Sequence, residues 1–297
     1  MDTGDDTDDT DGTDDAEGTG DQPDRPGWTR RPAVVLPVAA VVAVLLVGVG
    51  LFVRAWNDRG PSAASVDRSV AGFRDDHNGS GSASLLRPAA GVYTYDATGT
   101  EQLSLLSTSQ AWGNPVPGTV TTDDRGCWTI RFDFSTNHTQ ATTYCPAGRV
   151  LQERTGSTSQ TFDFVAASVT DVTDFVCDPP GQLIRLDATA GQTWPQSCVG
   201  RSPARGTRVT SAGTNTYLGR ESVRIGGTTV RALHYRVDRD LSGDQKGTER
   251  TELWFHPDTG LTLRETRRVR VASPSPIGDV TYTEEGTFTL TSLVPRT

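Results

Sequence analysis

The chain has 297 residues and a formal net charge of −9 at pH 7. Eleven acidic residues precede the first basic residue, Arg25, and the rest of the chain carries 28 basic residues and the other 26 of the 37 acidic ones. This balance excludes an acidic globular domain, and it excludes the large positive surplus that nucleic-acid-binding proteins use. The four cysteines are too few for a disulfide-dense miniature scaffold, but they are enough to brace a larger exported domain.

The first segment, residues 1–32, is predicted to be a disordered acidic tail. It begins with a low-complexity run of Asp, Thr and Gly that offers almost no apolar surface to bury. An EF-hand loop is the alternative, with Gly12 at the sixth loop position. That alignment puts Thr7 at the first position and Gly18 at the twelfth, where calcium needs carboxylates. The solvated tail is therefore favoured.

Residues 33–53 form an uncharged apolar run flanked by Arg30, Arg31 and Arg54. As a helix this run would span roughly 30 Å, the thickness of one hydrocarbon core. A cleaved signal peptide is disfavoured, because the leader is acidic and no A-x-A site closes the run. All four cysteines follow the run, and disulfides persist in oxidising compartments. The prediction is a single-pass cell-membrane protein with a cytoplasmic N-terminus and an extracytoplasmic C-terminal part.

Residues 54–88 are predicted to be a stalk. Ser62 could cap a short helix that places Val66, Val70 and Phe73 on one stripe. The following run DDHNGSGSAS has the composition of a flexible linker.

Residues 89–297 are predicted to form one β-rich extracytoplasmic domain, because apolar and polar residues alternate and turn signals recur. Turns are expected at 225–228 and 256–260, where glycine supplies the left-handed backbone of a hairpin. The predicted strands include WTIRFDF, TFDFVAASV, VRALHYRV, TELWFH, LTLRETRRVRV and GTFTLTSL.

The cysteines are predicted to form structural disulfides. Cys127 and Cys145 bracket a sequence that folds back at residues 135–138, and Cys177 and Cys198 bracket a loop. Sequential pairing is one of three connectivities and is favoured because each closure is local. Metal or redox roles are disfavoured, because the sequence has no C-x-x-C motif and no histidine at ligand spacing from a cysteine.

No catalytic or cofactor motif is found, so we expect no enzyme activity, no cofactor and no metal. Of the four histidines, His77 falls in the linker and His138 in a hairpin turn, which predicts solvated side chains. His234 and His256 fall on neighbouring predicted strands, but two histidines alone make a poor metal site. A cleft joining either of them to Glu221 or Glu252 would favour an enzyme instead.

One surface patch departs from a simple core pattern. Hairpin pairing puts Glu252, Trp254 and His256 on the polar face beside Arg264, with a predicted Glu252–Arg264 ion pair. Trp254 is expected to stack on Arg264 and cover the outside of the sheet. The alternative is a contact point for a ligand or a protein partner.

A resemblance extends over residues 180–292. The stretch GRESVRIGGTTVRALHYR, followed by ELWFHPDTGLTLRE, resembles hairpins of the periplasmic lipoprotein-carrier group with the LolA/LppX-like fold. The ratio of one lysine, Lys246, to 27 arginines is typical of a high-G+C genome and agrees with actinobacterial relatives of that group. The resemblance implies a curved antiparallel meander, or half-barrel, whose concave face holds acyl chains under covering helices.

Two functions follow from these features. The first is a membrane-anchored binding module of the bacterial cell envelope for a lipid or another apolar ligand. The second is a structural or interaction protein that docks a protein partner through its sheet surface without catalysis. Nucleic acid is not expected as a partner.

Overall fold

The computed structural model describes residues 61–76, 82–105, 109–163, 168–274 and 278–297. These residues form one short helix and thirteen antiparallel strands, which confirms the mainly β prediction. The elements are α1 (Val66–Asp76), β1 (Gly91–Leu103), β2 (Gln110–Ala111), β3 (Val116–Thr122), β4 (Trp128–Ser135), β5 (His138–Ala147), β6 (Val150–Asp163), β7 (Ser168–Arg185), β8 (Thr193–Ser202), β9 (Thr207–Ile225), β10 (Thr228–Gly243), β11 (Lys246–Phe255), β12 (Thr262–Ser273) and β13 (Val280–Leu290).

The sheet closes on itself, so the half-barrel prediction is wrong. Strands β3 to β13 follow one another as an antiparallel meander, and β13 then pairs with β1. This last pairing runs over nine residue pairs, from Tyr95↔Leu290 to Leu103↔Tyr282. This pairing joins strands that lie almost two hundred residues apart in the chain, so no local turn signal in the sequence predicts it. With β1 beside β3, twelve strands form a closed barrel, in which β7 and β8 pair over only three residue pairs.

One end of the barrel is filled by aromatic and aliphatic side chains. Tyr95, Phe132 and Phe288 meet there with ring centroids 4.7–5.4 Å apart. Leu86 covers this end and is fully buried. Its amide donates to the Asp258 carbonyl at 2.7 Å, and its carbonyl accepts from the Trp128 indole at 2.9 Å. We call this the closed end.

Within the predicted stalk, the described helix packs on the barrel. Helix α1 begins at Val66, and its first turn is capped by Ser65, whose Oγ accepts from the Arg68 amide at 3.3 Å. The predicted stripe of Val66, Val70 and Phe73 is buried and clusters with Ala90 and Val92. An eleven-residue helix is marginal alone in water, and this apolar contact stabilises it.

The predicted acidic tail (1–32), the predicted membrane span (33–53) and His77 lie outside the described residues. Within the described ranges, no helix is long and apolar enough to cross a membrane.

The local predictions are mostly confirmed. Both disulfides form as favoured, Cys127–Cys145 and Cys177–Cys198. Hairpin turns fall at 226–227 and 256–261, and Gly226 and Gly260 have the positive φ values that these turns need. The stretch TFDFVAASV is not one strand, because β6 ends at Asp163 and β7 begins at Ser168.

Candidate functional site: a charged cavity inside the barrel

The barrel encloses a cavity of about 440 Å3 next to the closed-end core. Its wall has two layers. The layer nearer the core is polar and charged, and the layer nearer the opposite end is mostly apolar. We call that opposite end the open end, because the cavity wall there includes Leu105, which is 47% exposed.

Strand alternation explains how charges come to lie inside. Successive side chains of a strand point to opposite faces, so the buried face of β12 begins with Leu263 and continues with Glu265 and Arg267 before Val269 and Val271. β13 and β10 follow the same pattern with Glu284 and Arg239. The interior charged cluster consists of Glu153, Arg239, Glu249, Glu265, Arg267 and Glu284.

Arg267 lies among three carboxylates of the interior charged cluster. Its guanidinium is 3.5 Å from Glu284 and 3.9 Å from both Glu249 and Glu265, and it also donates to Gln140. The Glu284 side chain is only 1% exposed. Its Oε1 atom has no hydrogen-bond partner among the described residues, and neither has Nε of Arg267.

Burial and mutual repulsion shift the ionisation of this group. Burial raises the pKa of Glu265 to about 7; Arg267 lowers it, and Glu249 and Glu284 raise it further. Burial alone would lower the pKa of Arg267, but Glu284, Glu265 and Glu249 together raise it above its ordinary value. The guanidinium is therefore charged at all ordinary pH values, while Glu265 titrates near neutrality.

A second polar chain crosses the cavity wall at the gap between β7 and β8. Arg239 donates to Asn215 at 2.6 Å, and Asn215 donates to Gln196 at 2.8 Å. Gln196 in turn donates to Glu153 at 2.8 Å. Gly181 leaves room for this amide, since a Cβ there would collide with Gln196. Burial raises the pKa of Glu153, and the Gln196 hydrogen bond and Arg239 partly offset it.

His138 belongs to a third polar group and is only 1% exposed, so the prediction of a solvated histidine is wrong. Its Nδ1 lies 2.9 Å from Glu101, which also accepts from the Tyr282 hydroxyl at 3.1 Å. Gln160 donates to that hydroxyl at 2.6 Å. These contacts tie β1, β5, β6 and β13 together across the cavity wall.

Most side chains of the layer at the open end are apolar, and the charged residues Asp171 and Arg205, which also line the cavity, pair with each other at 3.3 Å. Its apolar side chains are large or branched and come from the inward faces of six strands, β1, β6, β7, β10, β12 and β13. Its members are Leu103, Phe162, Val169, Leu241, Val269, Val271 and Val280.

The sequence-predicted surface residues lie on the outer face of the barrel, away from the cavity. Trp254 is sandwiched between the His234 ring at 4.2 Å and the Arg264 guanidinium at 4.9 Å, which confirms its predicted stacking on Arg264. Its indole N–H donates to Glu221 at 3.0 Å. The residue is 5% exposed, so its own ring offers little surface for contact. We call Trp254, His234 and Arg264 the outer-face stack.

The predicted Glu252–Arg264 ion pair is wrong. Arg264 lies opposite Trp254 in the β11–β12 register, and Glu252 lies opposite Thr266. Glu252 instead contacts Nε2 of His234 at 3.3 Å, while Glu221 contacts Nδ1 at 3.0 Å. The structure thus joins His234 to both carboxylates that would favour an enzyme, but on the outer surface of the sheet.

His256 does not join the outer-face stack. Its Nδ1 accepts from the backbone amides of Asp258 and Thr259 at 3.3 and 3.4 Å, so it holds the turn between β11 and β12. Burial lowers the pKa of His256, and Asp258 partly offsets that shift. A docking role for this face stays a prediction.

The interior charged cluster was missed at the level of sequence, although a signal was present. Glu265 and Arg267 interrupt a run in which every second residue is apolar, from Leu263 to Val271. Charged residues are unusual at strand positions whose side chains point to the buried face, because burying an unpaired charge costs several kcal/mol. When several strands carry charged residues at positions that point inward, the pattern predicts a shared polar site in the interior of the sheet.

Comparisons with known proteins give little further information. No family model matches the chain, and no curated protein matches it either. Among solved structures, the chain is similar to the crystal structure of the hypothetical lipoprotein YmcC from Escherichia coli (K12). The similarity has a TM-score of 0.31 and 10% sequence identity, over 67% of this chain and 85% of that chain. The resemblance to LolA/LppX-like carriers stays a prediction.

Proposed function

We propose that the protein is a membrane-anchored, extracytoplasmic binding protein of the bacterial envelope that holds a small amphiphilic molecule inside its barrel. The observation that carries the proposal is the cavity of about 440 Å3, with its charged inner layer and its apolar layer at the open end. Ligand pockets in proteins commonly measure about 300–1,000 Å3 and combine apolar walls with a few convergent polar groups.

The two layers suit a molecule with a polar head and an apolar tail. The head would lie against the interior charged cluster, where polar atoms of Glu284 and Arg267 lack partners within the described chain. The tail would lie against the apolar layer, because burying apolar surface contributes about 25 cal/mol per Å2.

The cellular location rests on the sequence and on the disulfides. The apolar run at 33–53 supports one membrane anchor. The two disulfides support an oxidising compartment for residues that follow it. We propose no catalysis for this cavity.

A cavity-filling variant tests the proposal. Thr158 lines the cavity, whereas its neighbour Ser159 does not. The full-length chain would be purified in lipid nanodiscs as wild type, Thr158→Trp and Ser159→Trp. Bound compounds would be extracted and identified by mass spectrometry.

We expect an amphiphile that co-purifies with wild type and Ser159→Trp and is depleted at least about tenfold from Thr158→Trp. Lipids of the nanodisc cancel in this comparison, since all three samples contain them. Identical extracts from all three proteins would refute a ligand-holding cavity.

A further inference from the structure

The charge pattern of the cavity wall specifies the ligand more closely. Five carboxyl groups line the cavity against three guanidinium groups: Glu153, Asp171, Glu249, Glu265 and Glu284 against Arg205, Arg239 and Arg267. Arg205 and Asp171 lie 3.3 Å apart and offset each other away from the interior charged cluster. The cluster itself holds four carboxyl groups and two guanidinium groups.

We infer that the head group of the ligand is an ammonium, which lies beside Glu284 with its apolar tail directed toward the open end. This inference rests on the proposed function and specifies the class of molecule that the cavity takes: a cationic amphiphile with N–H donors.

The carboxylate of Glu284 provides the acceptor. Its Oε2 atom faces Arg267 at 3.5 Å, whereas Oε1 has no partner among the described residues. A buried acceptor without a hydrogen-bond partner destabilises the protein by about 1–3 kcal/mol. A ligand N–H that donates to this oxygen removes most of that penalty, and this contributes to the free energy of binding. Hydrogen bonds between two charged groups are stronger than those between neutral ones.

An anionic head group fits the same place poorly. It could accept from Nε of Arg267, but it would lie against Glu284 and within the field of Glu249 and Glu265, which already surround that guanidinium. Like charges at such distances repel strongly where water is excluded. An ammonium that carries a neighbouring oxygen can satisfy both Oε1 of Glu284 and Nε of Arg267.

The ionisation of Glu265 gives the inference a pH signature. Its pKa of about 7 is set first by burial, with Arg267 lowering it and Glu249 and Glu284 raising it. Tyr95 and Tyr144 also face this carboxyl, and their own pKa values are raised by burial. A bound ammonium favours the ionised carboxyl, so its binding is tighter above the pKa than below it.

Three probes with the same apolar chain separate the head groups: decylamine, decanol and decanoate. Their binding to the full-length protein in nanodiscs would be measured by calorimetry, and the signal from Thr158→Trp would be subtracted to isolate the cavity. We expect decylamine to bind about tenfold tighter than decanol, and decanoate to bind more weakly than decanol. The decylamine affinity should rise by up to about tenfold between about pH 6 and pH 8, whereas the decanol affinity should not change.

Glu284→Gln should abolish the preference for decylamine while it leaves decanol binding, and thereby shows that the variant is folded. The wild-type ranking of the three probes tests the inference without any variant. Equal affinities for the three probes, or tightest binding of decanoate, would overturn the ammonium head group and leave a ligand-binding cavity in place. Binding of no probe beyond the Thr158→Trp level would overturn both.

Discussion

Glu265 shows how burial among charges makes a single residue sensitive to pH. The folded protein binds a proton at this carboxyl up to about pH 7, whereas the unfolded chain releases it near the ordinary value of 4.5. Between these values the folded state binds more protons than the unfolded state. The free energy of unfolding therefore falls as pH rises through this window.

Replacing this carboxyl by an amide removes its contribution to the pH dependence. From about pH 4 to about pH 8, the stability of Glu265→Gln relative to wild type should increase by up to about 3 kcal/mol. Thermal unfolding followed by near-ultraviolet circular dichroism at several pH values measures the difference. Glu285→Gln is the matched control, because Glu285 lies on the neighbouring strand with its side chain 64% exposed. An unchanged difference across the pH range would contradict a carboxyl that folding leaves protonated.

Trp254 acts at the same scale, as the centre of the outer-face stack. Trp254→Ala removes the contacts with His234 and Arg264 together, and we expect it to lower the free energy of unfolding by about 3 kcal/mol. Trp254→Phe keeps a stacked ring but loses the hydrogen bond to Glu221, and we expect a loss of about 1 kcal/mol. Chemical denaturation of both variants measures whether Trp254→Ala loses more stability than Trp254→Phe. If Trp254→Ala were as stable as wild type, the stack would have no structural role.

At the scale of strands, the seam between β1 and β13 depends on two glycines. Gly99 and Gly286 lie opposite each other, and the ring of Trp112 lies directly over both. A Cβ at either position would collide with that ring. Trp112 also packs on Phe134 with ring centroids 4.6 Å apart, so it cannot move without a cost. Glycine in this seam therefore permits the close approach that closes the barrel.

Gly286→Ala should lower the free energy of unfolding by about 2–3 kcal/mol, because the seam is overpacked. Most of this loss should disappear in a Trp112→Leu background, which a double-mutant cycle measures. Gly227→Ala is the control, since nothing lies near its added Cβ, and it should change stability by less than about 0.5 kcal/mol. A loss of equal size in both backgrounds would contradict the collision with Trp112.

At the scale of the whole molecule, sequence reasoning reached the local structure but not the closure. The hairpins, the turn at 226–227 and both disulfides follow from residues close in sequence, where turn chemistry and alternation act directly. The β1–β13 seam joins residues such as Tyr95 and Leu290, and no local preference encodes that pairing. Without the closed barrel there is no interior, so the sequence analysis did not single out Glu265 and Arg267.

The outer-face stack was partly predicted for the same reason. Trp254 and Arg264 lie on adjacent strands of one hairpin, so their contact follows from the local register. The contacts of His234 with Glu221 and Glu252 need the neighbouring hairpin as well. The cavity needs almost every strand, and for that reason only its interrupted apolar pattern was visible in the sequence.

The two disulfides have unequal consequences for a closed barrel. Cys127–Cys145 joins the residue just before β4 to β5, and these two strands pair over seven residue pairs. Cys177–Cys198 joins β7 and β8, which pair over only three. The bridges close loops of similar length, with sequence separations of 18 and 21, so the loop-entropy contribution is about 3 kcal/mol for each. Any difference in the stability lost on removing each bridge must therefore come from the strands that the bridge joins.

Removing the second bridge should therefore open the barrel beside the cavity. We expect Cys177→Ala/Cys198→Ala to lower the free energy of unfolding by at least about 1 kcal/mol more than Cys127→Ala/Cys145→Ala, which is the matched control. Hydrogen exchange should accelerate in β7 and β8 in the first variant, because only three residue pairs and the side-chain hydrogen bonds around Gln196 then hold that seam. Decanol binding should weaken in the same variant, since Cys198 and Gln196 line the cavity at this gap. Equal losses of stability, with exchange in β7 and β8 unchanged, would show that the Gln196 hydrogen-bond chain closes this part of the barrel without the disulfide.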